Sequence, residues 1–148
     1  MREPTFRDRD IASQFHDGEE RLKRGGAGEA LRLFLDVYDQ AKTGMGAMDC
    51  VKNAYAKLGS DVELEQSIQE ELFLKLQRIA SLEPQYMRYR VEAAYYIGFI
   101  YAKRGDAEQA RKYLLEVCQT APVSLDPGSV WMKAKTLLLE TLHLQGEF

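Results

Sequence analysis

Residues 91–122 read VEAAYYIGFIYAKRGDAEQARKYLLEVCQTAP. Two apolar-periodic segments flank Gly105-Asp106, and Pro122 follows the second. Glycine permits the tight turn that ends a helix, and aspartate accepts hydrogen bonds from the free amides of the helix that follows. Proline cannot continue a helix. The stretch therefore predicts a helical hairpin, with one helix over 86–104 and the next over 107–120.

Working outward, apolar residues keep a spacing of three and four, as in Leu31, Phe34, Leu35 and Tyr38, or Leu72, Leu76, Ile79 and Ala80. No strand-like alternation is present. Prolines stand only at 4, 84, 122 and 127, so long intervals are free to be helical. Breaks are expected at Gly25-Gly26, Thr43-Gly44, Gly59-Ser60-Asp61, Glu83-Pro84, Gly105-Asp106 and 121–128. They divide the chain into about seven helices, over 10–24, 27–42, 46–58, 62–82, 86–104, 107–120 and 128–145. A polar arm, 1–9, precedes a single helical domain, 10–148. Asp61 is expected to cap the helix after it, with Glu63 and Glu65 in the first turn.

The chain also repeats itself. Ala30, Leu35 and Val37 recur as Ala110, Leu115 and Val117, and Gly18, Lys23 and Gly25 recur as Gly98, Lys103 and Gly105, at a constant offset of 80 residues. Tyr55-Ala56-Lys57-Leu58-Gly59 matches Tyr101-Ala102-Lys103-Arg104-Gly105 at an offset of 46, leaving 12 residues beyond a regular step of 34. Those residues are expected to lengthen the helix over 62–82 by about 18 Å, so that it projects or covers its neighbour.

Composition sets limits. The 148 residues suit one domain, and 45% hydrophobic with 29% charged residues is the balance of a folded soluble protein. A net charge of −3, with basic and acidic residues interspersed, argues against nucleic acid as a partner. No run reaches the roughly 20 apolar residues of a membrane span, and no apolar leader opens the chain, so membrane insertion is not expected. Cys50 and Cys118, without metal-ligand spacing, are expected as two buried free thiols in a reducing, cytoplasmic setting.

No catalytic constellation emerges. His16 and His143 lie far apart in sequence with no cysteine near either, and the glycines of 25–28 lack the strand that a phosphate-binding loop requires. The expectation is a protein with no enzymatic activity, no cofactor and no metal.

The unit at 91–122 resembles a tetratricopeptide repeat. That family pairs two helices with Gly or Ala at position 8, an aromatic at 11, Gly at 15, Ala at 20, large and small apolar residues at 24 and 27, and Pro at 32. Gly98, Tyr101, Gly105, Ala110, Leu114, Val117 and Pro122 fill those places. A first unit carries Gly18, Gly25, Ala30, Phe34 and Val37, with Arg21 where the aromatic should be. A second, degenerate unit carries Tyr55 and Gly59. Gly98 and Ala110 would be small because the two helices cross closely there. The resemblance implies an all-α, right-handed superhelical solenoid of about three such hairpins plus a C-terminal capping helix.

It also implies a function. In that family the first helices of successive hairpins line a concave groove that holds a peptide or helix of a partner protein, so the expected role is a scaffold or adaptor. Carried over residue by residue, the groove positions are Phe15, Glu19 and Lys23, then Asn53 and Lys57, then Glu92, Tyr95, Phe99 and Lys103. A lysine closes each set, a placement that the helix dipole favours by itself. The Lys, Asn and Arg residues of the family's carboxylate clamp are replaced here by Phe15, Glu19, Glu92 and Tyr96, so no such clamp is expected. Phe15, Tyr95 and Phe99 suit an apolar or amphipathic segment. Size and charge also fit a small chaperone for a secretion or assembly substrate, acting as a homodimer.

Overall fold

The computed structural model of the chain describes residues 10–61 and 63–148; the polar segment 1–9 lies outside them. The described residues form five helices and no strand: α1 (Ile11–Lys23), α2 (Ala27–Asp61), α3 (Gln66–Lys103), α4 (Ala107–Thr120) and α5 (Val130–Thr141). Each packs on the next, and α3 also touches α1 and α5. No helix among the described residues is long and apolar enough to cross a membrane.

The helix ends follow local chemistry. Asp10, Asp106 and Ser129 accept hydrogen bonds from Ala12 N–H, Gln109 N–H and Met132 N–H at the starts of α1, α4 and α5. Gly25 and Gly105 take the left-handed φ values of +84° and +79° that close α1 and α3. The turn geometry repeats at the 80-residue offset. Gly26 N–H donates to Arg21 C=O at 2.8 Å, and Asp106 N–H donates to Tyr101 C=O at 3.0 Å. Ala121 is extended ahead of Pro122, which ends α4.

The hairpins α1/α2 and α3/α4 cross in the same way. A Cβ added at Gly18 would lie 2.8 Å from the Phe34 ring, and one at Gly98 would lie 2.7 Å from Leu114 Cγ. Ala30 and Ala110, Phe34 and Leu114, and Val37 and Val117 are all fully buried. Tyr101 stacks on Tyr113 of α4 at 6.2 Å. An aromatic cluster joins the first hairpin to α3. Phe34 stacks on Tyr96 at 4.5 Å, and Phe15 contacts Phe34, Tyr89 and Tyr96 at 5.5–5.8 Å.

Two corrections concern the helices. The expected seven are five, because no break occurs at Thr43-Gly44 or at Glu83-Pro84. Gly44 stays helical and makes room for the Tyr86 ring, which a Cβ would approach to 2.6 Å. Pro84 lies inside α3. Proline removes one helical hydrogen bond at a cost of about 3 kcal/mol. Packing between α2 and α3 on both sides of it, including the Lys52–Glu83 ion pair at 2.8 Å, offsets that cost. The expected helices 46–58 and 62–82 do pair, but as extensions of α2 and α3. Their turn lies between Asp61 and Gln66, so Gly59 is helical and Asp61 ends α2 instead of capping α3, whose N-cap is Glu65.

The result is an arm. Its two antiparallel strands of helix, residues 43–61 and 66–85, run about 30 Å at 1.5 Å per residue. Among the described residues every buried hydrophobic residue lies outside it, and none between 42 and 85 packs on the core. Its seam is half-buried, formed by Met45, Met48, Lys52 and Tyr55 on α2 and Leu72, Leu76, Ile79 and Leu82 on α3. A further correction concerns the thiols: Cys50 is exposed on the arm and Cys118 is half-buried, both unpaired.

One substitution made at two helical glycines should have opposite signs. Gly98→Ala forces a methyl group onto Leu114, and overpacking of about 1–3 kcal/mol should outweigh the gain in helix propensity of up to about 1 kcal/mol. Gly59→Ala meets nothing within 4 Å and should stabilise by about 0.5–1 kcal/mol. Urea denaturation of both variants provides the comparison.

Candidate partner-binding cleft

Three helices converge on one cleft. α1 contributes Phe15 and Glu19, the C-terminal half of α3 contributes Glu92, Tyr95 and Tyr96, and the segment entering α5 contributes Gly128, Val130 and Lys133. A second hollow adjoins it, sharing Tyr95 and Lys133 and continuing past Phe99, Lys103, Leu137 and Glu140. The spacing along α3 is what builds the floor. Glu92, Tyr95, Phe99 and Lys103 recur at three and four residues and so share one face of the helix, while Ala94, Ile97 and Ala93 turn into the core.

Each wall is held by side-chain contacts. Tyr96 Oη donates to Glu19 Oε2 at 2.8 Å, which ties α1 to α3. Burial and this bond to a carboxylate push the Tyr96 phenol well above its ordinary range, since the phenolate would face Glu19. Lys133 Nζ of α5 stands 5.0 Å from the Tyr95 ring centre, and Lys103 Nζ stands 5.4 Å from that of Phe99. Glu92 is half-buried, with Arg88 Nε at 3.8 Å. Desolvation raises its carboxyl above the usual range, the charge of Glu19 adds to the rise, and Arg88 and Lys133 oppose it. α5 is seated by Trp131 Nε1, which donates to Cys118 C=O at 3.1 Å, and by Arg111, which donates to Thr141 C=O.

Of the nine groove residues expected from sequence, six meet here: Phe15, Glu19, Glu92, Tyr95, Phe99 and Lys103. Phe15 is only 7% exposed, so most of its ring belongs to the core. Asn53 and Lys57 are not among the lining residues, because the second unit is the arm; both are exposed on α2. Lys23 is exposed in the last turn of α1, 3.8 Å from Glu20. Lys23 and Lys103 each occupy the last turn of a helix, where the dipole favours a cation.

Sequence reasoning missed the α5 wall, Val130, Lys133, Leu137 and Glu140, because the last helix was read only as a cap. The spacing of Val130, Lys133, Leu137 and Glu140, at three, four and three residues, was the available signal, since it puts all four on one face of α5. Among the described residues no group of histidine, cysteine and carboxylate side chains could hold a metal ion. The cleft instead offers aromatic faces, three carboxylates (Glu19, Glu92 and Glu140) and two ammonium groups (Lys103 and Lys133). No family model, curated protein or solved structure matches the chain.

The half-buried carboxylate has a consequence for stability. A group whose folded pKa lies above its unfolded value contributes stability at low pH and loses it as pH rises through the folded value. Ionised Glu92 should therefore cost stability at neutral pH. Glu92→Gln should raise the urea midpoint at pH 7, and the advantage should vanish as the pH falls below the carboxylate range.

Proposed function

We propose that the chain is a protein-binding module whose cleft between α1, α3 and α5 holds an apolar or amphipathic segment of a partner protein. The observation that carries this reading is the half-exposed aromatic floor formed by Tyr95 and Phe99. Aromatic side chains that are part wet and held by a rigid helix give large contact area at small entropic cost. Around them carboxylates outnumber ammonium groups, so a segment carrying a basic residue beside its apolar ones is favoured over an acidic one. The same carboxylates make a terminal-carboxylate clamp a poor fit.

The tetratricopeptide resemblance supports the reading in a revised form. The first and last units keep matching close crossings, matching alanines and matching left-handed glycine turns at an offset of 80 residues. On this reading α1, the end of α3 and α5 are the first helices of successive units. Their shared face is the groove of a short superhelical solenoid, with a helical arm replacing the middle repeat. α5 then serves both as cap and as third wall. The chain acts as an adaptor, bringing the partner's segment to whatever else it holds.

Capture of partners on immobilised protein, read by mass spectrometry, tests this. Proteins retained by wild type should be depleted at least tenfold on Tyr95→Ala/Phe99→Ala, since two aromatic anchors removed together commonly exceed that loss. Circular dichroism should show the helices of the variant intact. Equal retention on the intact variant would remove the cleft from consideration.

A further inference from the structure

With the cleft as the seat of a partner's segment, a reading on which this rests, we infer that its deeper hollow takes the guanidinium group of an arginine in that segment. The hollow lies between α1, α3 and the entry to α5, and Phe15, Tyr95 and Tyr96 give it aromatic walls. Its volume is about 140 Å³. Sites for drug-sized ligands run from about 300 Å³ upward, so this one suits a single side chain. Glu19 of α1 and Glu92 of α3 bring carboxylates to the same lining.

Both carboxylates have bonding capacity left. Glu19 accepts the Tyr96 hydroxyl at 2.8 Å and makes no ion pair among the described residues. The Glu92 side chain keeps 35% of its surface in water, yet accepts no hydrogen bond among the described residues. Its nearest cation, Arg88 Nε at 3.8 Å, is too distant for one. Gly128, also in the lining, donates to Asp126 Oδ1 at 2.9 Å, which brings a third carboxylate to the edge. An apolar side chain seated here would cover Glu92 without pairing it, at a cost in desolvation. A cationic one supplies the missing donors.

The aromatic wall already holds a cation of the chain itself. Lys133 Nζ stands 5.0 Å from the Tyr95 ring centre, at the border between the hollow and its neighbour. Lys133 is exposed, and its flexible stem lets it move aside for a better-fitting group. A guanidinium is that group. It is planar and weakly hydrated, it stacks on aromatic rings, and its fork of donors can serve carboxylates on two helices at once. The compact, strongly hydrated ammonium of a partner's lysine would only repeat what Lys133 provides.

Titration of the full chain with Nα-acetylarginine amide, followed through backbone amide shifts in two-dimensional NMR, is the test. The citrulline analogue has the same length and no charge. The arginine probe should shift Phe15, Glu19, Tyr95 and Val130 saturably, with a Kd on the order of millimolar, and citrulline should bind about tenfold more weakly. Glu92→Gln keeps the shape of the hollow and should weaken arginine about tenfold, whereas Lys133→Met removes the competing cation and should strengthen it severalfold. The inference falls if arginine and citrulline bind alike, if neither shifts the hollow, or if Glu92→Gln leaves arginine binding unchanged. It also falls if Lys133→Met abolishes binding, which would mark the hollow as a seat for anions. Partners captured by wild type and lost on Tyr95→Ala/Phe99→Ala, beside an indifferent arginine titration, would leave the cleft as the seat and remove the guanidinium from it.

Discussion

Two helices of this chain carry no side chain at the point where a neighbour presses on them. Gly18 faces Phe34 and Gly98 faces Leu114, each so closely that a methyl group would overlap the opposing side chain. Everything else near the core is arranged around these contacts. Phe34, admitted by Gly18, is fully buried and stacks on Tyr96, so the first hairpin is held to α3 by a ring that only a glycine crossing lets in. Burial of a side chain of this size stabilises by about 1.5–3 kcal/mol, and each aromatic pair adds about 0.5–1.5 kcal/mol. Tyr96, set by that stack, reaches Glu19 and fixes the α1 wall of the cleft. Leu114, admitted by Gly98, packs beside the face of α3 that carries Tyr95 and Phe99.

Much of this was legible from the chain alone. The 80-residue repeat identified both crossings, both glycine turns and the buried alanines, because those positions are constrained by contacts between residues about 16 apart. The middle of the chain was misread for a physical reason. Glycine and proline are helix breakers on average, but their cost of about 1–3 kcal/mol is set against whatever the continued helix packs on. At Gly44 the ring of Tyr86 fills the space of the missing side chain, and around Pro84 the seam residues and the Lys52–Glu83 pair hold the helix together. Those partners lie 42 and 31 residues away, beyond the reach of any local rule.

The cleft divides along the same line. The face of α3 could be read from its spacing, and so could Phe15 and Glu19, since all belong to the repeat. Lys133 and Glu140 could not, because their place depends on how α5 docks. That docking rests on contacts such as Trp131 to Cys118 C=O and Arg111 to Thr141 C=O, which no periodicity encodes. Asn53 and Lys57 were assigned to the groove by counting, and the count fails where the middle unit departs from the repeat.

The two long helices give the arm and the cleft a mechanical connection. α2 runs unbroken from the Phe34 crossing to the tip of the arm, and α3 runs unbroken from the tip back to Tyr95 and Phe99. A short loop at residue 43 or 84 would have let the arm swing freely. Instead the Tyr86 ring lies against Gly44 at its base, and Tyr89, less than one turn further along α3, touches Phe15 in the cleft wall. Reorienting the arm therefore requires bending two helices or displacing an aromatic ring from a close-packed contact, and interiors packed at this density resist both. The arm's direction is fixed relative to the cleft.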